Sequence, residues 1–252
     1  MILQVESSGG ELIVNTRRVK TASVMMSLSL MLVILAGCGS QTATKNSSAN
    51  ANANIKTGVK PVADSEVAVI EMENPAYGKM VIELYPNIAP KMVERFKQLI
   101  KEGFYNGTTF HRIDPELGII QGGDPFSKDD NPDNDGLGDS PYPNVPREFS
   151  DVPYERGIVG AARKGENLDP NRGPILTDEQ ARDTSNCQFF ITLKRVQGFD
   201  GNYTAFGRVI EGLNNADIIA GAPVDPPTPR RPDASHPSDK IVIKSITLQP
   251  HK

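Results

Sequence analysis

Apolar residues alternate with polar ones, or run together in short stretches, along much of the chain beyond residue 62, a pattern typical of β-strands. Asn74-Pro75 separates the first two stretches and is a turn signal, so these two are predicted to form a hairpin. The stretches "FHRI" and "IIQG" add two short strands within 110–122. The remaining strand patterns cover 65–73, 77–85, 187–193, 203–212 and 239–249.

Two other segments carry apolar residues at helical spacing. Pro90 marks the start of a helix within 89–104, and Gly103 marks its C-terminal cap. Residues 212–221 give a second, shorter helix pattern. Because these strands and helices follow one another without βαβ alternation, we expect a closed or nearly closed antiparallel barrel with helices over its ends.

Composition and charge narrow the functional classes. The 252 residues carry a formal net charge of −4 and contain no Lys/Arg-rich run, so nucleic-acid binding has little support. The two cysteines allow at most one disulfide. Cys187 lies in an apolar strand pattern, where we expect a buried free thiol.

The N-terminal part carries a targeting pattern. Arg17 and Arg18 precede the apolar run 24–37, which is too short for a confident membrane-spanning helix and closes with "LAGC". This ending resembles the lipobox of bacterial lipoproteins, in which the signal is cut before the cysteine and the cysteine is lipidated. We therefore predict a signal peptide over 1–37 and a lipid on Cys38. An ordinary signal peptide or N-terminal anchor is the alternative.

The residues around this signal complete the predicted domain organisation. Residues 1–18 fit no lipoprotein signal, so translation is hypothesised to begin at Val19. Residues 38–61, the lipidated cysteine and a Ser/Asn/Ala-rich stretch, are predicted to form a disordered tether, since they offer little apolar surface to offset ordering. The folded domain then covers 62–252. The lipid places the protein on the cell membrane, on its extracytoplasmic side.

Candidate chemistry lies in three of the strand patterns, where a polar side chain shares a face with an apolar one. With a period of two, the pairs are Phe110 with Arg112, Ile119 with Gln121, and Gln188 with Phe190. Apolar surface with a few directed hydrogen-bonding groups is the composition of a ligand pocket. The alternative is that Arg112 pairs with a carboxylate of the barrel and the glutamines satisfy backbone groups.

Four blocks of sequence, in order and spacing, resemble cyclophilin-type peptidyl-prolyl cis/trans isomerases: "GFYNGTTFHRI…IIQGGDP", "GIVGAAR", "SNCQFFIT" and "FDGNYTAFGRV". The similarity runs over 67–248. It implies a mostly-β fold, a closed eight-stranded antiparallel barrel capped by two α-helices. It also implies that the protein catalyses rotation about X–Pro bonds in proline-containing polypeptides, without a cofactor or metal. For an exported protein, these substrates are expected to be exported client proteins. A monomer is expected.

The resemblance further assigns the site. Arg112 matches the family's catalytic arginine, and Gln121 matches the glutamine that binds the substrate backbone and helps orient that arginine. The expected substrate-binding residues are Leu117, Ile119, Ala162, Arg163, Gln188, Phe190, Phe199 and Tyr203. Leu117 with Gly118 stands where the family commonly has a pocket aromatic, and Tyr203 stands where a histidine is frequent.

Two insertions and one functional alternative stay open. Residues 164–183 are longer than the usual family loop and either tune substrate choice or form a solvated loop. Residues 127–139 resemble an EF-hand loop loosely, but Tyr142 occupies the twelfth position instead of Glu. Because the pocket is altered at Leu117, a binding module with weak or no catalysis is the alternative to an active isomerase.

Overall fold

The computed structural model describes residues 55–170, 174–228 and 234–252, which belong to the unit Ser47–Lys252. The predicted signal peptide, the start at Val19, the lipidation site Cys38 and the tether up to residue 54 lie outside these ranges. The strands are β1 (Glu66–Met72), β2 (Lys79–Leu84), β3 (Phe110–Asp114), β4 (Ile119–Gly122), β5 (Ile158–Ala161), β6 (Phe189–Thr192), β7 (Ala205–Glu211) and β8 (Ile243–Pro250). The helices are α1 (Pro90–Lys101), α2 (Asp178–Ala181) and α3 (Leu213–Ala220).

All eight strands form one antiparallel sheet, in the order β3-β4-β6-β5-β7-β2-β1-β8. β3 and β8 are its edges, so the sheet is an open half-barrel and the prediction of a closed barrel is wrong. A short backbone contact spans the seam, where the Phe110 amide donates to the Ile241 carbonyl at 3.0 Å. Beyond it the Ile113 amide donates to Ser235 instead, at 2.7 Å, so β8 does not continue the ladder along β3.

The two longer helices lie where the spacing predicts them. α1 buries one apolar stripe, formed by Met92, Val93, Phe96, Leu99 and Ile100. Its first turn is capped from elsewhere in the chain, because the Glu148 carboxylate accepts the amides of Lys91 and Met92 at 3.1 and 3.0 Å. Gly103 follows the helix with φ of +68°, in the left-handed region that favours glycine, as predicted.

A third helix corrects the prediction of two. α2 covers four residues within the insertion 164–183. It begins at a capping box, in which the Thr177 side chain accepts from the Gln180 amide and the Gln180 side chain accepts from the Thr177 amide. Apolar spacing cannot reveal a helix of one turn, so only the capping pair signals it in the sequence.

The apolar residues form two main clusters, one on each side of the sheet. The first fills the half-barrel and contains Phe96 from α1 together with Phe189 and Ile191 from β6. The second lies on the opposite face and contains Phe190. Successive side chains of β6 therefore alternate between the two clusters, as the period of two requires.

An irregularity in β3 overturns the predicted pairing of Phe110 with Arg112 on one face. Phe110 lies opposite Gly122, and Arg112 lies opposite Gln121, so two residues of β3 advance while β4 advances by one. This β-bulge turns Phe110 into the half-barrel, while Arg112 stays beside Gln121. Alternation alone fails here because the extra residue shifts its phase.

The described end of the tether lies against the domain. Lys56 forms a parallel bridge with Ser150, and its ammonium donates to the Ile88 carbonyl at 2.7 Å. The Gly58 amide donates to Asp151 at 2.7 Å. Residues 55–58 thus have a fixed position on the fold. No helix in the described part of the chain is long and apolar enough to cross a membrane.

Candidate active site

A single row of neighbours crosses four strands at the centre of the site. In the strand register, Arg112 of β3 faces Gln121 of β4, Gln121 faces Phe190 of β6, and Phe190 faces Gly160 of β5. Side chains directly opposite one another on antiparallel strands lie about 4.5–5.5 Å apart at Cβ. The fold therefore brings a guanidinium, a carboxamide and an aromatic ring together in one line.

Arg112 is oriented by the acidic residue at the end of its own strand. Its Nη2 donates to Asp114 Oδ2 at 2.8 Å, and the arginine side chain keeps 33% of its surface exposed. The other carboxylate oxygen accepts the Leu117 amide at 2.8 Å. One carboxylate thus links the arginine to the turn that carries Leu117.

Aromatic rings surround Phe190. Its ring centroid lies 5.8 Å from Tyr154, 5.2 Å from Phe199 and 5.5 Å from Tyr203. Leu117, Ala162 and Tyr203 pack against this second cluster, in which Ile119 is also buried. Phe190 is only 2% exposed, so its neighbours cover the ring.

The two glutamines form a hydrogen-bonded chain beside this cluster. Gln121 Nε2 donates to Gln188 Oε1 at 3.0 Å. The Gln188 amide in turn donates to the carbonyls of Gly136 and Gly138, at 3.0 and 2.9 Å. Gln188 therefore fixes the loop that faces Gln121, and it is 8% exposed. Both glutamines line a cavity of about 60 Å³.

Arg163 connects this cavity with the insertion. Its guanidinium lies over the Tyr203 ring, 4.8 Å from the centroid, and pairs with Asp178 of α2 at 3.3 Å. The side chain is 10% exposed. Ala162 and Arg163 both line the cavity, and the Ala162 amide donates to the Gln188 carbonyl at 2.9 Å. The Arg163 side chain thus links the cavity to α2 and to the Tyr203 ring.

The comparison with known families decides what this arrangement belongs to. The model of the family described as "Cyclophilin type peptidyl-prolyl cis-trans isomerase/CLD" matches residues 68–248. The chain is a member of the cyclophilin family. The mostly-β fold with eight antiparallel strands in an open half-barrel and three helices is accordingly the cyclophilin fold.

Individual cyclophilins give the extent of the similarity. A probable peptidyl-prolyl cis-trans isomerase of Brucella suis is 36% identical over 146 residues, and the match covers 56% of this chain and 66% of that protein, slightly less than two thirds. Isomerase ppi1 of Schizosaccharomyces pombe is 35% identical over 154 residues, covering 59% and 82%. A cyclophilin of Cryptosporidium parvum, crystallised in the presence of the dipeptide Ala-Pro, has a TM-score of 0.56 at 28% identity. It covers 73% of this chain and 99% of its own.

The structure brings together all ten site residues that the sequence predicts in this cyclophilin. Arg112, Gln121 and Phe190 lie in the central row, and the others lie in the second cluster or around the 60 Å³ cavity. Three neighbours were missed: Asp114, Gly160 and Tyr154, whose ring stacks on Phe190. Asp114, which binds Arg112, follows it by two positions in the strand pattern and was readable as a potential partner. Gly160 gives no sequence signal for its contact with Phe190.

Polar groups in and around the acidic loop 127–139 bond to other groups of the protein. Buried Asp124 accepts the amides of Phe126 and Gly138, at 2.9 and 3.1 Å. Asp135 pairs with His236, with 3.0 Å between Oδ2 and Nε2. Among the described residues no group of three His, Cys, Asp or Glu side chains is arranged to hold a metal ion.

Cys187 is a free, buried thiol as predicted, and burial raises its pKa to about 12.

His111 lines a cavity that contains Asp135 and His236 and none of the residues of the row. It is 6% exposed, and neither ring nitrogen has a hydrogen-bond partner in the described part of the chain. Burial lowers its pKa from 6.5 to about 3, and the charges of His236 and Arg112 act in the same direction. The ring is therefore neutral in the folded protein at physiological pH.

We expect this histidine to make the fold sensitive to acid. Below pH 6.5 the unfolded chain binds a proton at His111 that the folded chain excludes until about pH 3, so stability falls as pH falls through that window. The loss is about 2 kcal/mol between pH 6.5 and 4.5 for one such group. Urea denaturation at both pH values, on wild type and His111→Leu, measures it. The variant should lose about 2 kcal/mol less than wild type over the same pH interval. Equal slopes in His111→Leu and wild type would contradict the expectation.

Proposed function

We propose that the protein is an active peptidyl-prolyl cis/trans isomerase. The observation that carries this proposal is the single row in which Arg112 and Gln121 lie beside the Phe190 cluster. A proline side chain needs an apolar surface, and its amide needs a directed donor beside that surface. This row supplies both on one face of the sheet.

The chemistry requires a twisted amide to be favoured over a planar one. The barrier to rotation is ~18–20 kcal/mol, and uncatalysed X–Pro isomerisation takes tens to hundreds of seconds. When the amide twists, resonance is lost and the proline nitrogen becomes a better hydrogen-bond acceptor. The guanidinium of Arg112, held at one end by Asp114, donates to that nitrogen. This interaction is stronger in the transition state than in the ground state, which is the condition for catalysis.

Gln121 and the apolar residues hold the bound substrate chain in position before the bond rotates. Gln121 hydrogen-bonds the substrate backbone, and its bond to Gln188 fixes the carboxamide. Leu117, Ile119, Phe190, Phe199 and Tyr203 enclose the proline ring, and the backbone of Ala162 and Arg163 borders the peptide. No bond is broken, so the mechanism needs no nucleophile and no cofactor.

The test is the isomerisation rate of a short Xaa-Pro peptide in the presence of the purified protein. We expect the rate constant to rise linearly with protein concentration. A rate equal to that in buffer, at protein concentrations that still bind the peptide, would reject the isomerase.

A second function is favoured by one observation. Phe190 is 2% exposed, so a proline ring reaches it only after a covering side chain moves. The free energy needed to move that side chain makes it harder for the proline ring to enter the site. This favours a module that binds proline-containing segments and catalyses their isomerisation only weakly. Leu117 packs against the cluster that contains Phe190. Leu117→Ala separates the two functions, because opening this side of the cluster should raise isomerisation kcat/KM if the protein is an isomerase limited by access.

The proposed setting is the extracytoplasmic side of the cell membrane. The "LAGC" ending at Cys38 supports a lipid anchor, and an acyl chain contributes about 0.8 kcal/mol per buried methylene. The protein then acts, as a monomer, on proline-containing exported clients near that membrane.

We expect full-length protein made in bacteria to fractionate with membranes and to begin at a lipidated Cys38. Cys38→Ala should be released into the soluble fraction, while control Cys187→Ala should stay with the membranes. Membrane fractionation measures the location of each protein, and intact-mass measurement identifies the mature N-terminus and its lipid. A wild-type protein without added lipid mass would exclude the anchor.

A further inference from the structure

The insertion 164–183 contains a short arm, in which two backbone segments pair with each other. Asn167 and Leu176 form an antiparallel bridge, with both amide-to-carbonyl distances at 2.7 Å. The Asn167 side chain also donates to the Pro174 carbonyl at 2.9 Å. The arm, defined as residues 164–170 and 174–177, therefore has its own backbone pairing and is more than an irregular loop.

The base of the arm is fastened to the cavity that the two glutamines line. The Lys164 amide donates to Thr184 Oγ1 at 2.9 Å, and the Lys164 ammonium pairs with Asp139 at 2.8 Å. Lys164, Asp139 and Thr184 all line that cavity. On the other side of the base, Arg163 binds Asp178 of α2. These contacts fix the direction in which the arm leaves the groove.

The arm presents two large apolar side chains to solvent. Leu168 and Ile175 are the residues next to this bridge, one on each of the two paired segments. Leu168 is 62% exposed and Ile175 is 50% exposed. Leu137, which is 67% exposed, lines the cavity at the base of the arm. Exposed apolar side chains thus lie both on the cavity wall, at Leu137, and on the arm that begins at the same cavity.

The spacing sets which part of a bound chain can reach this pair. Leu168 follows Lys164 by four positions, and an extended chain rises about 3.3 Å per residue, so Leu168 lies at most ~13 Å from the cavity-lining Lys164. A substrate chain in extended conformation covers that distance with about four residues. Short peptides end before it.

We propose that the arm extends the substrate groove and that Leu168 and Ile175 contact an apolar side chain about four residues from the substrate residue held at the cavity. This rests on the proposed function, and it makes apolar unfolded segments the preferred substrates. The occupant is the proline-containing substrate itself, because the arm begins at Lys164, which lines the cavity beside Gln121 and Gln188. A second copy of the chain is a poor fit, since two side chains fall far short of the ~800 Å² per partner that a stable interface buries.

The experiment compares full-length wild type with a Leu168→Thr/Ile175→Thr double variant. Threonine removes the apolar contact, and as a β-branched residue it favours the extended backbone of the arm. The substrates are a Xaa-Pro tetrapeptide and two longer peptides, with Leu four residues before or four residues after the Xaa-Pro unit, each with a Leu→Ser version. The matched control is Ile210→Thr, which replaces a 43% exposed residue of β7 outside the cavity.

We expect wild type to prefer one Leu peptide over its Ser version by about tenfold in kcat/KM, which corresponds to ~1.4 kcal/mol. The double variant should lose that preference and keep wild-type activity on the tetrapeptide, and Ile210→Thr should keep both. Amide exchange at Leu176 checks that the arm stays paired. A photoreactive residue at the Leu position should cross-link to the arm in wild type.

The outcomes separate this inference from the isomerase itself. Wild type without activity on the tetrapeptide would reject the proposed function. Wild type that is active but shows no Leu preference, or whose cross-links fall outside the arm, would reject the arm as a binding surface. Equal losses on tetrapeptide and long peptides in the double variant would show that the arm only supports the groove, which also overturns the inference.

Discussion

Replacing Arg112 by alanine should lower kcat/KM for X–Pro isomerisation by about 100- to 1,000-fold, the usual cost of removing one donor aimed at developing charge. The change removes the donor to the twisting proline nitrogen and leaves the Phe190 cluster in place. Peptide affinity should change little, so the loss falls on kcat. Stability should fall by no more than ~1 kcal/mol, because the ion pair with Asp114 is partly exposed, at 33% and 19%.

Two further variants sharpen this result. Arg112→Lys keeps the charge but loses the planar fork that reaches Asp114 and the substrate together, so it should recover only part of the activity. Arg208→Ala removes an exposed arginine of β7 and should match wild type. Isomerisation kinetics and calorimetric peptide binding, measured on the same preparations, give the comparison. If Arg112→Ala kept most of the wild-type kcat while the wild type was active, the donor would have to be another group.

Local patterns predicted most of the fold. Strand patterns and helical spacing gave the first hairpin, α1 and α3. The strand β1 is a short apolar run because both of its faces are buried over Val67–Ile70, whereas α1 and α3 each bury one stripe. Closure of the barrel could not be read in this way. It depends on whether the outer edge of β3 pairs with β8 or with Ser235, and that choice is made between segments more than 120 positions apart in sequence.

The candidate site was likewise predicted only in part from the sequence. Period-two alternation placed Gln121 beside Ile119 and Gln188 beside Phe190, but it misplaced Phe110, since a bulge is a matter of pairing and not of composition. The resemblance to cyclophilins supplied the roles. The sequence analysis allowed a carboxylate partner for Arg112, and Asp114 is that partner. Neither source could reveal that the same carboxylate holds the Leu117 turn, or that Phe190 is covered, because both depend on how side chains pack.

Gly160 leads to the second large expected effect, and nothing in the sequence pattern points to it. A Cβ at this position would lie 2.3 Å from Phe190 Cζ and under 3.0 Å from both neighbouring ring carbons. The ring cannot move away freely, because Tyr154, Phe199 and Tyr203 pack around it. Gly160→Ala should therefore push the ring out of its place and close the proline site.

We expect Gly160→Ala to lower kcat/KM by at least about tenfold and the free energy of unfolding by ~1–3 kcal/mol, the usual cost of overpacking a filled core. Gly221→Ala is the matched control, since its Cβ would meet only ordinary contacts of 3.5 and 3.6 Å at the end of α3. Because the clash is with one ring, the double variant with Phe190→Leu should be more stable than the sum of the two single changes predicts. Urea denaturation of the four proteins gives that coupling. Additive effects would mean that the alanine is accommodated without moving Phe190, and the contact would then not explain why glycine occupies this position.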